Sequence, residues 1–269
     1  MQPAPEYVEA RRVLLDALTA LDQHLPNLIL VGAQAVYHHT GDADLNVPLM
    51  TTDGDLAINT LHLADVPEIG DVLRRAGFTP GPNPGHWVSA GDVAVDLMVV
   101  PHQAGVTRAS ARSARLEPHE KLTARIARGL EPALVDHDLV TLSALDPSDP
   151  RSVSLMVAGP AALLTAKIIK IGERLGQAEA QPDRLKEKDA LDVFRLLQAI
   201  DTPVLARGIA LHRADQHAAA VTGEALALLE AHCGNPPGRI PEIAAAAAQG
   251  DPTVAPSFVT LVRQLLAAL

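Results

Sequence analysis

The pattern of apolar residues along this chain changes character at Gly159-Pro160. Before that point helical stripes alternate with short apolar runs bounded by Gly, Pro, Asn and Asp, the pattern of strands joined by turns. After it apolar residues recur every three or four positions, the pattern of amphipathic helices. The chain is therefore expected to be α+β, a mixed-sheet domain over residues 1–155 followed by a helical domain over residues 156–269.

Val8, Leu14, Leu15, Leu18, Leu21 and Leu25 share a helical stripe that ends at Pro26-Asn27. The apolar run 28–31 then predicts a buried strand, Gly32 follows it directly, and residues 33–39 predict a helix. A loop containing Gly41, Asp42, Asp44, Asn46 and Pro48 leads to a second strand at 52–58. Residues 66–76 predict a helix closed by Gly77, and residues 86–100 a hairpin turning at Ala90-Gly91-Asp92. Two more strands are expected at 139–145 and 153–157. Beyond Pro160, which suits a first helical turn, Leu164, Ile168, Ile171 and Leu175 form a stripe. A loop at 177–182, a helix at 185–200 and alanine-rich helices with breaks at 234–238 and 250–252 complete the chain.

Composition narrows the function. Apolar residues make up 48% and charged ones 20%, an ordinary globular balance, while 2% aromatics leave the core to aliphatic side chains. The uncharged run 152–166 is interrupted by Gly159-Pro160 and is too short to cross a bilayer, so no membrane partner is expected. Glu6, Glu9, Arg11, Arg12 and Asp16 stand where a secretory signal needs apolar residues, and Cys233 is the single cysteine. Both point to the cytoplasm and exclude a cysteine zinc site. A formal net charge of -10 excludes bulk coating of nucleic acid. The one cationic stretch carries Arg108, Arg112, Arg115, Lys121, Arg125 and Arg128 against Glu117 and Glu120.

The signatures Gly-x-x-x-x-Gly-Lys-Ser/Thr, Gly-x-Gly-x-x-Gly and His-Glu-x-x-His are absent. Chemistry concentrates instead in Thr52-Asp53-Gly54-Asp55. On a strand, residues two apart face the same way, and two adjacent carboxylates call for a cation between them; a hard divalent ion such as Mg2+ prefers such oxygen ligands. In Val95-Asp96-Leu97-Met98-Val99-Val100 a lone carboxylate interrupts a run apolar enough for a central strand. Burying it unpaired would cost several kcal/mol, so Asp96 requires a metal, a cation or water.

Val31-Gly32-Ala33, Thr52-Asp53-Gly54-Asp55 and Val95-Asp96, in that order and on strands, resemble the polymerase-beta-like nucleotidyltransferase superfamily. Within it the chain resembles AbiEii-type nucleotidyltransferases of toxin-antitoxin and abortive-infection systems. Lys167 on an amphipathic helix and Asp189 in Lys188-Asp189-Ala190-Leu191-Asp192 are similar to that family's lysine and aspartate. The resemblance implies a magnesium-dependent transfer of NMP from an NTP to a hydroxyl, with an RNA end such as that of tRNA as acceptor and a cognate antitoxin as partner. A small aminoglycoside-type acceptor, or nucleotide binding without catalysis, stands as the alternative. It further implies Asp53, Asp55 and Asp96 as metal ligands and catalytic carboxylates, with Lys167 and Asp189 beside them. Gly32, Ala33 and Lys167 would contact the nucleotide. Such enzymes carry Gly-Gly or Gly-Ser where this chain has Gly32-Ala33, so phosphate contact there falls to backbone amides.

Overall fold

The computed structural model describes residues 3–41, 43, 45–108, 110–177, 187–234 and 238–269. The chain is α+β and divides into two compact units. The first comprises Met1–Ala35, Leu49–Ala127 and His137–Ala158; the second comprises Val36–Pro48, Arg128–Asp136 and Gly159–Leu269. In place of the single cut expected at 155/156, two short segments of the N-terminal half join the helical unit.

The first unit holds one mixed sheet. Its strands are β1 (Leu28–Val31), β2 (Asp53–Ile58), β3 (Thr79–Pro80), β4 (His86–Val88), β5 (Ala94–Val99), β6 (Arg125–Ile126), β7 (His137–Ser143) and β8 (Ser152–Ala158). They lie in the order β3-β4-β5-β2-β1-β8-β7, with β6 also paired to β5. β2 runs parallel to β5 and antiparallel to β1, while β1 runs parallel to β8. β4 and β5 form the hairpin expected around Gly91.

Helix α1 (Pro5–Ala20) buries Val13, Leu14, Leu15 and Leu18. A Cβ placed on Gly54 would lie 3.0 Å from the Leu14 side chain, so α1 packs directly on the backbone of β2. The helix stops at Ala20 rather than continuing to Leu25; residues Asp22–Asn27 tighten into a 3-10 helix that contains Pro26, whose ring and missing amide are incompatible with further α-helix. Helix α3 (Ile69–Arg75) is likewise shorter than the expected 66–76. Pro67 disfavours helical backbone at Val66, and Glu68 caps the helix by accepting from the Asp71 amide at 2.7 Å.

Helix α2 (Gly32–Thr40) follows β1 without a connecting residue. In the second unit the helices are α4 (Pro160–Gln177), α5 (Glu187–Ala199), α6 (Thr202–Ala214), α7 (Ala218–Cys233), α8 (Arg239–Ala247) and α9 (Val254–Ala267). Phe194 and Phe258 stack at 5.8 Å in a core that also holds aliphatic residues such as Ile168, Ile171, Leu196, Leu205 and Val262. Burial pushes the Cys233 thiol up to about 12, which leaves it inert. Asp42, Asp44, most of the loop expected at 177–182 and the helix start expected at 185 lie outside the described residues.

Because Leu14 fills the space above Gly54, Leu14→Ala should open a cavity under the strand that carries Asp53 and Asp55. The expected loss is about 2–5 kcal/mol of unfolding free energy in a urea titration. A loss well below that range would show that α1 does not support β2.

Candidate active site

The sheet presents its carboxylates at one end. In β2 Asp53 and Asp55 are half-buried while Gly54 faces α1, and in β5 Asp96 repeats the position of Asp55. The parallel register pairs Asp55 with Asp96 and Asp53 with Ala94. Residues in register on neighbouring strands share a face, so the three aspartates stand on one face at the N-terminal ends of β2 and β5. Beyond them, residues 56–58 and 97–99 are fully buried.

Gly32 is required twice over. Its φ is +68°, and a Cβ there would sit 2.0 Å from Asp55 Oδ2. The left-handed backbone suits glycine, and the absent side chain leaves the space the Asp55 carboxylate occupies. Ala33, in the first turn of α2, is buried.

Asp53 is held at both ends of the residue. Thr51 donates its hydroxyl to the carboxylate at 2.7 Å, and the Gln34 side-chain amide donates to the Asp53 carbonyl at 2.9 Å. Among the described residues Asp53 has no cationic partner, and a hydroxyl donor does not cancel its charge.

Asp96 is compensated within the protein. His86 on β4, directly opposite in the hairpin register, places Nδ1 2.7 Å from one carboxylate oxygen, and the Arg125 guanidinium donates to the other at 3.2 Å. The sequence alone did not single out His86. Arg125 was counted with a basic surface, but its guanidinium turns to Asp96. Arg128 also leaves that surface: it belongs to the second unit and pairs with Glu224 and Glu173. Arg115 is 3.7 Å from Glu117, and Arg108 donates to the Ser110 hydroxyl. The expected six-cation patch is thus reduced to Arg108, Arg112, Arg115 and Lys121.

In the second unit Lys167 and Asp189 do come together, in a buried ionic cluster. The Lys167 ammonium, 7% exposed, donates to Asp189 at 2.9 Å and to Asp192 at 2.6 Å. Lys170 reaches Asp189 at 3.1 Å and Arg174 donates to its other oxygen. Burial by itself would lower the Lys167 pKa, but Asp192 and then Asp189 outweigh it and raise it above the ordinary lysine value. Burial would raise Asp189, and Lys167, Lys170 and Arg174 outweigh it and hold the carboxyl below the usual carboxylate range. The expectation that Lys167 reaches a triphosphate meets an ammonium already neutralised by two carboxylates, and Asp189 takes three cations as its partners.

Mg2+ is commonly held by one or two carboxylates together with substrate phosphates, so it does not need a full set of protein ligands. Asp53 and Asp55 fit that description: hard oxygen donors on alternate residues, with no built-in cation at Asp53. Asp96 fits less directly, because both its oxygens already accept hydrogen bonds. Among the described residues no three His, Cys, Asp or Glu side chains converge as a ready-made metal cluster.

Lys167→Met should leave Asp189 and Asp192 buried without their shared partner, at a cost of about 3–5 kcal/mol in denaturant unfolding. The sign of the pH dependence follows from the two shifts. The Asp189 contribution is complete above its unfolded value of 3.8 and lost as the pH falls through the lower folded value. The Lys167 contribution is complete below 10.5 and lost only as the pH rises through the higher folded value. The contribution of these two groups to wild-type stability is therefore constant between those limits. No family model and no curated protein matches this chain, so the function of the carboxylate site is argued from its chemistry.

Proposed function

We propose that the chain is a nucleotidyltransferase that moves NMP from an NTP to an acceptor hydroxyl. The observation that carries the proposal is the alignment of Asp55 with Asp96 on parallel strands, with Asp53 two residues away, beside the Gly32 turn that opens α2. Phosphoryl and nucleotidyl transfer ask a protein mainly to position reactants and neutralise charge. A strand pair that concentrates carboxylates at one end supports that work when magnesium arrives with the triphosphate.

Asp53 and Asp55 would hold that magnesium, whose bound charge offsets the phosphate oxygens. Gly32 lets the backbone approach the phosphates, and the amides of the first turn of α2 add donors there, in the role a serine would share in relatives with Gly-Ser. Asp96 accepts the proton of the attacking hydroxyl as pyrophosphate leaves. The Arg125 pair has to open first, since its hydrogen bond occupies a carboxylate oxygen of Asp96.

The acceptor in this reading is an RNA end, with the chain acting as the toxin of a toxin-antitoxin pair. Arg108, Arg112, Arg115 and Lys121 support it as cations available to a phosphate backbone. A second reading, a small cationic acceptor of the aminoglycoside kind, is favoured by the withdrawal of Arg125 and Arg128 from that stretch and by the net charge of -10.

Incubation with each labelled NTP, Mg2+, and either total tRNA or an aminoglycoside panel tests both. Label on RNA supports the first reading and label on the small molecule the second; label on neither acceptor, with NTP bound, removes transfer. Asp96→Asn should lower transfer at least about 100-fold while NTP binding, read by calorimetry, changes little. Full turnover in a folded but less stable variant would make Asp96 a structural ion-pair partner instead.

A further inference from the structure

β2 extends past the end of its neighbour. Its ladder with β1 stops at the Val31/Asp55 pair, because the chain turns at Gly32 into α2. Asp53, two residues beyond that pair, therefore has no β1 backbone opposite it. The Gln34 side chain takes that place, its Nε2 donating to the Asp53 carbonyl at 2.9 Å. A primary amide can face either way, and here its direction is imposed. Gln34 Oε1 accepts from Arg11 Nε at 2.8 Å, which leaves Nε2 pointing at Asp53. Arg11 is itself fixed by donating to the Ser143 carbonyl of β7 at 2.8 Å and to the Tyr7 hydroxyl at 2.9 Å. Gln34 is 1% exposed and Arg11 4%.

A fully charged guanidinium is costly to bury, and among the described residues it has no carboxylate partner: its donors go to an amide oxygen, a carbonyl and a phenol. Burial lowers the Arg11 pKa, and the nearby Tyr7 opposes that only in part. Apolar residues of similar volume would fill the same space under the sheet at lower electrostatic cost. What they could not do is orient the Gln34 amide. We infer that Arg11 and Gln34 are positioning residues that hold the overhanging end of β2, so that the Asp53 and Asp55 carboxylates are presented together to a cation. The inference rests on the reading of that pair as a cation site.

Gln34→Glu separates positioning from packing. The glutamate keeps the shape and gains an ion pair with Arg11, but it cannot donate to the Asp53 carbonyl. It also adds negative charge, which by itself would strengthen cation binding, so weaker binding cannot be a charge artefact. The full-length chain is titrated with Mn2+ alone, read by electron paramagnetic resonance, and amide exchange is followed at residues 53–55. The expected result is a rise of about tenfold in the Mn2+ dissociation constant, faster exchange at those amides and an unchanged melting temperature. Mn2+ binding as tight as in the wild type, or weaker binding with unchanged exchange, overturns the inference. If the wild type binds no Mn2+ while exchange still accelerates in the variant, the cation-site reading falls and the hold on β2 stands. Should Gln34→Glu not fold, Arg11→Lys, which keeps the charge but cannot make all three contacts, is held to the same outcomes.

Discussion

A carboxylate taken out of water has to be compensated, and in the first unit that constraint acts on two adjacent central strands at once. β2 and β5 run parallel with Asp55 and Asp96 in register, so the sheet cannot bury one of these groups without dealing with the other. The arrangement divides each strand. The last three residues of β2 and the matching part of β5 are sealed in aliphatic core, while in the first three only the alternate residues, Asp53, Asp55, Ala94 and Asp96, remain half-buried. α1 follows the same division: it covers the sheet face at Gly54 through Leu14, opposite the face on which the aspartates stand. The turn at Gly32 then lets the next helix start against Asp55 with nothing but backbone between them.

The second unit meets the same constraint in another way. There Lys167, Lys170 and Arg174 on one face of α4 converge on Asp189, and Asp192 shares Lys167. The charges are matched by fixed side chains, and burial strengthens the pairing because no water competes for it. Asp192 keeps one buried oxygen with no partner among the described residues, the residual cost of packing two carboxylates around one ammonium. Such a cluster fixes α4 against α5. Lys167 and Arg174, at i and i+7, turn inward to it, while Lys170, at i+3, reaches Asp189 from an exposed position.

Much of the frame was legible because periodicity and turn chemistry act locally. The strand at 28–31, the hairpin around Gly91 and the helix beginning at Pro160 each follow from residues within a few positions of one another. The pairing of His86 with Asp96 was also within reach, since the two residues are equidistant from Gly91 and a hairpin centred there sets them opposite each other. Other parts depend on contacts between distant residues. Arg125 reaching Asp96, Arg11 reaching Ser143, and Arg128 joining the helical unit have no local signature, so a count of cations along the sequence overstates the basic surface. The discontinuous division of the chain is hidden for the same reason. Residues 36–48 begin inside α2, close behind β1 in sequence, but group with helices that come much later.

The three aspartates of the sheet differ in what they still require, and that difference is what makes the site chemically asymmetric. Asp96 has a histidine and an arginine, so its charge is met before any ligand arrives. Asp53 has a hydroxyl on its carboxylate and an amide on its carbonyl, contacts that set its position while leaving its charge to be met from outside. A cation brought to the site would supply the charge Asp53 lacks, and it would arrive beside a carboxylate whose own partner, Arg125, is a half-exposed side chain able to move. Binding at one carboxylate pair and release at its neighbour are thereby placed on adjacent strands, so the field of an incoming cation and its polyanionic ligand acts directly on the Asp96–Arg125 pair. An anion approaching with the cation would attract Arg125 away from Asp96, and the carboxylate set free would stand in register with the bound one.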